Sequence, residues 1–113
     1  MLMLLTIPVV AALAACIPAG QADSPPPHPY VGMWVTADGH IRQELLPDGR
    51  YEEARGTRQS AYTGSYTVSG NQIDYVDDTG FTADGTFDGD ILHHGGYLFY
   101  REGSPAHRDA AGR

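Results

Sequence analysis

A chain of 113 residues holds one domain of ordinary size. Fourteen acidic residues against seven arginines, with no lysine, give a formal charge of −7, which excludes a basic nucleic-acid surface and charge-driven adhesion to anionic membranes. A single cysteine, Cys16, excludes an internal disulfide and a multi-cysteine zinc site, while 14 Gly, 8 Pro and 7 Tyr favour turns and strands over long helices.

The chain opens with an apolar run from Met1 to Ala15, broken only by Thr6 and Pro8. It is short of the about 20 residues a spanning helix needs, and it fits the h-region of a secretory signal. A signal peptide is therefore expected over 1–22. Two endings compete. Leu13-Ala14-Ala15-Cys16 resembles the lipobox of bacterial lipoproteins, where the thiol receives a diacylglyceryl group and the cysteine becomes the mature N-terminus. Ala19-Gly20-Gln21-Ala22 resembles an A-x-A-like cleavage site. The lipobox is favoured, because it also accounts for one cysteine kept at that place; a small apolar residue inside the h-region is the plainer alternative. No Lys or Arg precedes the apolar run, a departure from the usual signal. The expected location is outside the cytoplasmic membrane, as an envelope lipoprotein or a secreted domain, touching the membrane only through a lipid on Cys16.

Residues 17–29 are Pro-rich and without apolar periodicity, and they predict an extended, semi-rigid tether. Residues 30–102 are the folding unit. Turn signals punctuate it at Ala37-Asp38-Gly39, Pro47-Asp48-Gly49, Ser69-Gly70-Asn71, Asp78-Thr79-Gly80 and Asp88-Gly89-Asp90. Between them lie strand-length runs at 31–36, 40–46, 50–55, 61–68, 72–77, 81–87, 91–94 and 97–102. Alternation is clearest where Tyr62, Gly64, Tyr66 and Val68 interleave with Ala61, Thr63, Ser65 and Thr67. The fold class is all-β: a small up-and-down antiparallel β-barrel of seven or eight short strands, closed so that no edge is exposed. Its interior is expected to be filled largely by its own aromatics, leaving a partial cup at one mouth. The small, polar stretch 103–113 predicts a disordered tail.

The Gly32-Met33-Trp34 opening resembles that of lipocalin-like and avidin-like barrels. Longer blocks are more specific: His40 to Tyr51 (HIRQELLPDGRY), Asp77 to Gly85 (DDTGFTADG) and Leu92 to Gly96 (LHHGG). Together they resemble a small family of unknown function, first seen in Agrobacterium tumefaciens, whose fold is a streptavidin-like β-barrel. The resemblance covers essentially Pro29 to Arg101 and implies a barrel with a candidate ligand site; it brings no known activity.

Candidate chemistry is sparse. His93 and His94 are adjacent, so on a regular strand they face opposite sides and cannot both ligate one ion without a bulge, for which Gly95-Gly96 offers a place. Zinc needs three or four ligands, so no metal site is predicted. The inward histidine of the pair is expected to orient a ligand or to act as an acid or base. Asp77-Asp78-Thr79-Gly80 reads first as a turn whose side chains cap backbone amides. Arg42, Arg50, Arg55 and Arg58, interleaved with Glu44, Glu52 and Glu53, read as a solvated face of cross-strand pairs. Most aromatics are core, but tyrosine hydroxyls need partners when buried, and a wall of rings and hydroxyls suits a small planar ligand. Trp34, Tyr62, Tyr66 and Tyr75, with His93 or His94, are the expected ligand-binding set.

The leading reading is a non-catalytic, small-molecule-binding barrel, with no cofactor implied and homo-oligomerisation left open. One rival is a small enzyme, of the isomerase or cyclase kind, pairing His93 or His94 with Asp78 at the mouth. The other is an envelope module that binds another protein through an external apolar face.

Overall fold

The computed structural model describes residues 25–112. The expected signal peptide, Cys16 and the first part of the tether lie outside the described residues. Eight strands run in chain order: β1 (Gly32–Thr36), β2 (Ile41–Leu45), β3 (Arg50–Arg55), β4 (Arg58–Ser69), β5 (Gln72–Asp77), β6 (Thr82–Asp88), β7 (Ile91–His94) and β8 (Tyr97–Arg101). Each pairs antiparallel with the next, and β1 pairs with β8 to close the barrel. Asp-Gly and Gly-Gly corners supply the left-handed backbone that tight hairpins require, as at Gly49 (φ +88°) and Gly95 (φ +62°).

Period-two alternation sends one set of side chains inward. Trp34, Ile41, Leu45, Tyr51, Tyr66, Ile73, Tyr75, Phe87, Leu92 and Phe99 form the core. Two inward positions, Gly64 and Gly85, carry no side chain at all. A Cβ on Gly64 would stand 2.8 Å from the Tyr51 ring, so this glycine makes the room that Tyr51 fills.

One end of the barrel is stopped. The last residues of the expected tether, 25–29, lie against it without regular structure. Tyr30 stacks on Phe87 with centroids 3.7 Å apart, and the indole N–H of Trp34 donates to the Tyr30 carbonyl at 2.9 Å. Arg101 donates from Nη2 to the Pro29 carbonyl at 2.7 Å. His28 sits 3.0 Å from the Tyr66 hydroxyl. That hydroxyl gives its proton to the Leu46 carbonyl at 2.6 Å, so Nε2 of His28 must be the donor. Nδ1 is then the acceptor for the Tyr30 amide, 3.1 Å away. Burial lowers the His28 pKa, in keeping with a neutral ring that both gives and takes one hydrogen bond.

The stretch expected to be a disordered tail carries, in its described part, a short helix, α1 (Pro105–Ala111). Ser104 takes the N-cap, its hydroxyl accepting from the His107 amide, and Pro105 stands in the first turn, where its missing N–H costs nothing. A local cap thus orders a segment whose composition carries no apolar stripe.

Candidate functional site

The other end is open. Strands β2 to β7 leave a concavity of about 150 Å³, lined by Gln43, Tyr51, Glu53, Arg55, Tyr62, Tyr75, Asp77, Phe81, Thr82, Ala83 and His94. Its rim is exposed: Tyr62 keeps 49% and Phe81 76% of its surface accessible.

The floor is polar and fully connected. Tyr75 donates from its hydroxyl to Gln43 Oε1 at 2.6 Å, Gln43 Nε2 donates to Glu53 Oε1 at 2.9 Å, and Arg55 Nε donates to Glu53 Oε2 at 3.1 Å. Tyr75, Gln43 and Glu53 are all buried, with Glu53 only 4% exposed. A buried carboxylate survives only with hydrogen bonds and a cation beside it, and Arg55 is that cation. Its guanidinium lies 5.1 Å from the Tyr62 ring centre and 5.9 Å from that of Tyr97, within the reach of cation–π attraction.

Burial pushes the Tyr75 phenol far above its ordinary value, with the Glu53 charge adding to the effect. The Tyr51 phenol rises to about 12, mainly through burial, with Asp77 and Glu53 contributing. Both therefore stay protonated at neutral pH, and Tyr75 acts as a donor. The His94 ring lies tilted at 34° against Tyr75 with centroids 4.4 Å apart, and its Nδ1 lies 2.9 Å from the Asp84 carbonyl. A carbonyl can only accept, so Nδ1 carries the proton and Nε2 keeps its lone pair in the neutral ring. Among the described residues no three His, Cys, Asp or Glu side chains converge as a metal-ligand set.

Of the residues expected to bind ligand, Tyr62, Tyr75 and His94 meet at this mouth. His93 does not; it is exposed on the outer wall, paired across strands with Thr86 and Leu98. Trp34 and Tyr66 belong to the stopped end, where Trp34 is buried under Arg101 and Tyr66 is committed to Leu46 and His28. Glu53 and Arg55 correct the reading of the interleaved charges as a solvated face. Tyr51, Glu53 and Arg55 share one parity, and that parity points inward; a bulge between Glu53 and Arg55 shifts the register at the lip. Gln43 follows the same rule between Ile41 and Leu45. The parity of the inward Tyr51 was the available signal, and it outranked the charges.

Asp78, the acid of the enzyme reading, is engaged elsewhere. Arg50 grips it bidentately, Nη1 to Oδ1 at 2.9 Å and Nη2 to Oδ2 at 2.7 Å, and the Thr63 hydroxyl donates to Oδ2 at 2.7 Å. The pairing of His93 or His94 with Asp78 that the rival enzyme reading needs is not formed. The neighbouring Asp77 does what the turn reading assigns, its Oδ1 accepting from the Thr79 and Phe81 amides at 2.9 and 3.1 Å. The Arg50 and Thr63 hydrogen bonds hold the Asp78 carboxyl down at about 2, from an ordinary 3.8. A depressed folded-state pKa gives stability that is present above pH 3.8 and is lost as pH falls towards 2. The urea midpoint should accordingly drop across that window in the native chain and drop less steeply in Asp78→Asn; parallel pH profiles for the two would refute this role.

The chain has a recognisable relative. The family model described as Agrobacterium tumefaciens protein Atu4866 matches residues 27–101. The solution structure of the protein Atu4866 from Agrobacterium tumefaciens is 71% identical over 66% of this chain and 96% of its own, with a TM-score of 0.61. No curated protein matches. The matched span takes in all eight strands, both barrel ends and every residue of the polar floor, so the chain belongs to the Atu4866 family, a small family of unknown function.

Proposed function

We propose that the barrel is a non-catalytic receptor for a small molecule, taken up at the mouth around Glu53 and carried outside the cytoplasmic membrane. The observation behind the binding claim is the buried row Tyr75–Gln43–Glu53 at the bottom of a concavity open to solvent. A barrel meant only to be stable would fill that end with apolar side chains, as it fills the other, because a buried carboxylate costs more than it returns. At about 150 Å³ the space falls below the roughly 300 Å³ at which drug-sized pockets begin, so the ligand is a fragment or one head group of something larger. The non-catalytic claim rests on the phenols staying protonated and on Asp78 being locked to Arg50, which leaves His94 without the carboxylate partner that the enzyme reading needs. Export rests on the apolar run 1–15 and on Cys16 in its lipobox-like setting. The intact mass of the protein from its native host separates a lipid on Cys16 from cleavage after Ala22.

The test of binding is a mixed fragment library added to the isotopically labelled chain while backbone amide shifts are followed. Shifts are expected to cluster at Gln43, Tyr51, Glu53, Tyr62, Tyr75 and His94. Shifts confined to the outer strand faces, or none from any fragment, would sink the receptor reading.

A further inference from the structure

We propose that Arg55 is a built-in stand-in for the ligand, and that the mouth takes a compact planar cation, of the amidinium or guanidinium type, which displaces Arg55 from Glu53. The inference rests on the receptor reading above and names the ligand's chemistry.

Glu53 must always have a cation beside it. Its carboxylate is buried, and its two present donors, Gln43 Nε2 and Arg55 Nε, leave lone pairs on both oxygens without a partner among them. Arg55 meets this need in the weakest way open to an arginine. It donates through Nε alone at 3.1 Å rather than through the two-pronged fork, and 38% of its side chain is exposed. Elsewhere in the same barrel Arg50 grips Asp78 with the full fork, so the chain uses the stronger geometry where it holds a carboxylate for structure.

The surroundings give Arg55 somewhere to go. The exposed rings of Tyr62 and Tyr97 lie beside its guanidinium and can keep the charge near the lip after it leaves the carboxylate. Meanwhile the cavity walls carry two carboxylates, Glu53 and Asp77, against one guanidinium. An anion entering the mouth meets this excess of negative charge; a cation replaces Arg55 with no charge left uncompensated. A planar head group fits a floor walled by Tyr51, Tyr75 and His94, and its fork presents the two parallel N–H groups that Glu53 still lacks.

The competition is open to a direct test with benzamidinium, its neutral isostere benzamide and the anion benzoate, each titrated into the labelled full chain and into Arg55→Met and Glu53→Gln. Benzamidinium should shift the amides around Gln43, Tyr51, Glu53 and Tyr75 saturably, while benzamide and benzoate bind there more weakly. Removing the internal competitor should tighten benzamidinium about tenfold in Arg55→Met, if Arg55 closes the site in nine molecules of ten. Glu53→Gln should weaken it by about thirtyfold or more, because the buried charge partner is gone. Arg55→Met carries the test on its own should Glu53→Gln fail to fold. Benzamide binding as tightly as benzamidinium, or benzoate binding that vanishes in Arg55→Met, would overturn the cation assignment and leave the mouth standing as a receptor. Silence from benzamidinium on both the native chain and Arg55→Met would overturn it as well, and silence from the wider fragment library would remove the receptor with it.

Discussion

Gly64→Ala, the addition of a single methyl group, should lower the stability of this barrel by about 3 kcal/mol or more. The added carbon would stand 2.3 Å from the Val76 carbonyl oxygen, 2.6 Å from the Asp77 Cα and 2.8 Å from the Tyr51 ring. Two of those three neighbours are backbone of β5, held in register with β4 where Gly64 stands opposite Asp77, and cannot swing aside. Replacing glycine ordinarily gains about 0.4–1 kcal/mol by restricting the unfolded chain, and here that gain is too small to offset the clash. The loss is expected to lower the melting midpoint by roughly 12 °C or more for a domain of this size. Calorimetry or circular dichroism reads it directly. A midpoint equal to that of the native chain would show that β4 and β5 part without cost and would refute the tight approach described at Gly64.

Trp34→Ala acts at the opposite end and by the opposite means, leaving a hole. The indole is fully buried, 5.0 Å from the Phe87 ring, with the Arg101 guanidinium 4.6 Å above it. Truncating such a side chain costs about 3–5 kcal/mol through lost burial and the cavity left behind. Small domains have about 5–15 kcal/mol in total, so the loss removes roughly a fifth of it or more. The substitution also removes the donor to the Tyr30 carbonyl, and with it one of the bonds holding residues 25–30 across the stopped end. Urea denaturation followed by Tyr fluorescence measures the change, and hydrogen exchange at the Tyr30 amide should rise with it. A midpoint unchanged from the native chain would place Trp34 outside the core.

The barrel could be read from the chain because turn chemistry and parity agreed. Asp-Gly corners recur at strand spacing, and between them Tyr62, Gly64, Tyr66 and Val68 keep one face. Parity, however, tells in from out and is silent about height along the barrel axis. Tyr66 and Tyr62 share a face four residues apart, yet one seals the stopped end with His28 and the other stands on the open rim. Grouping both in one cup followed from that silence. Glu53 escaped for a different reason. Residues 50–55 carry charge on both faces of the strand, so hydropathy does not mark the inner side, and only the inward Tyr51 two residues earlier betrays it. Gln43 and Glu53 become intelligible as a pair once β2 and β3 are set in register. Helix α1 depends on Ser104 and Pro105 and not on an amphipathic pattern, which is why composition pointed to disorder there.

The placement of residues 25–31 has a bearing on how the molecule stands relative to whatever it is attached to. Pro25 lies beside Gly49, in the β2–β3 turn, and the path from there to β1 crosses the stopped end under Arg101. Pro25 itself therefore stands at the stopped end, and a bead or partner fused directly to it is attached on the side away from the mouth. The rim of Tyr62, Phe81 and Tyr97 then faces outward like the lip of a vessel standing on its base, and solutes reach Glu53 without passing the support.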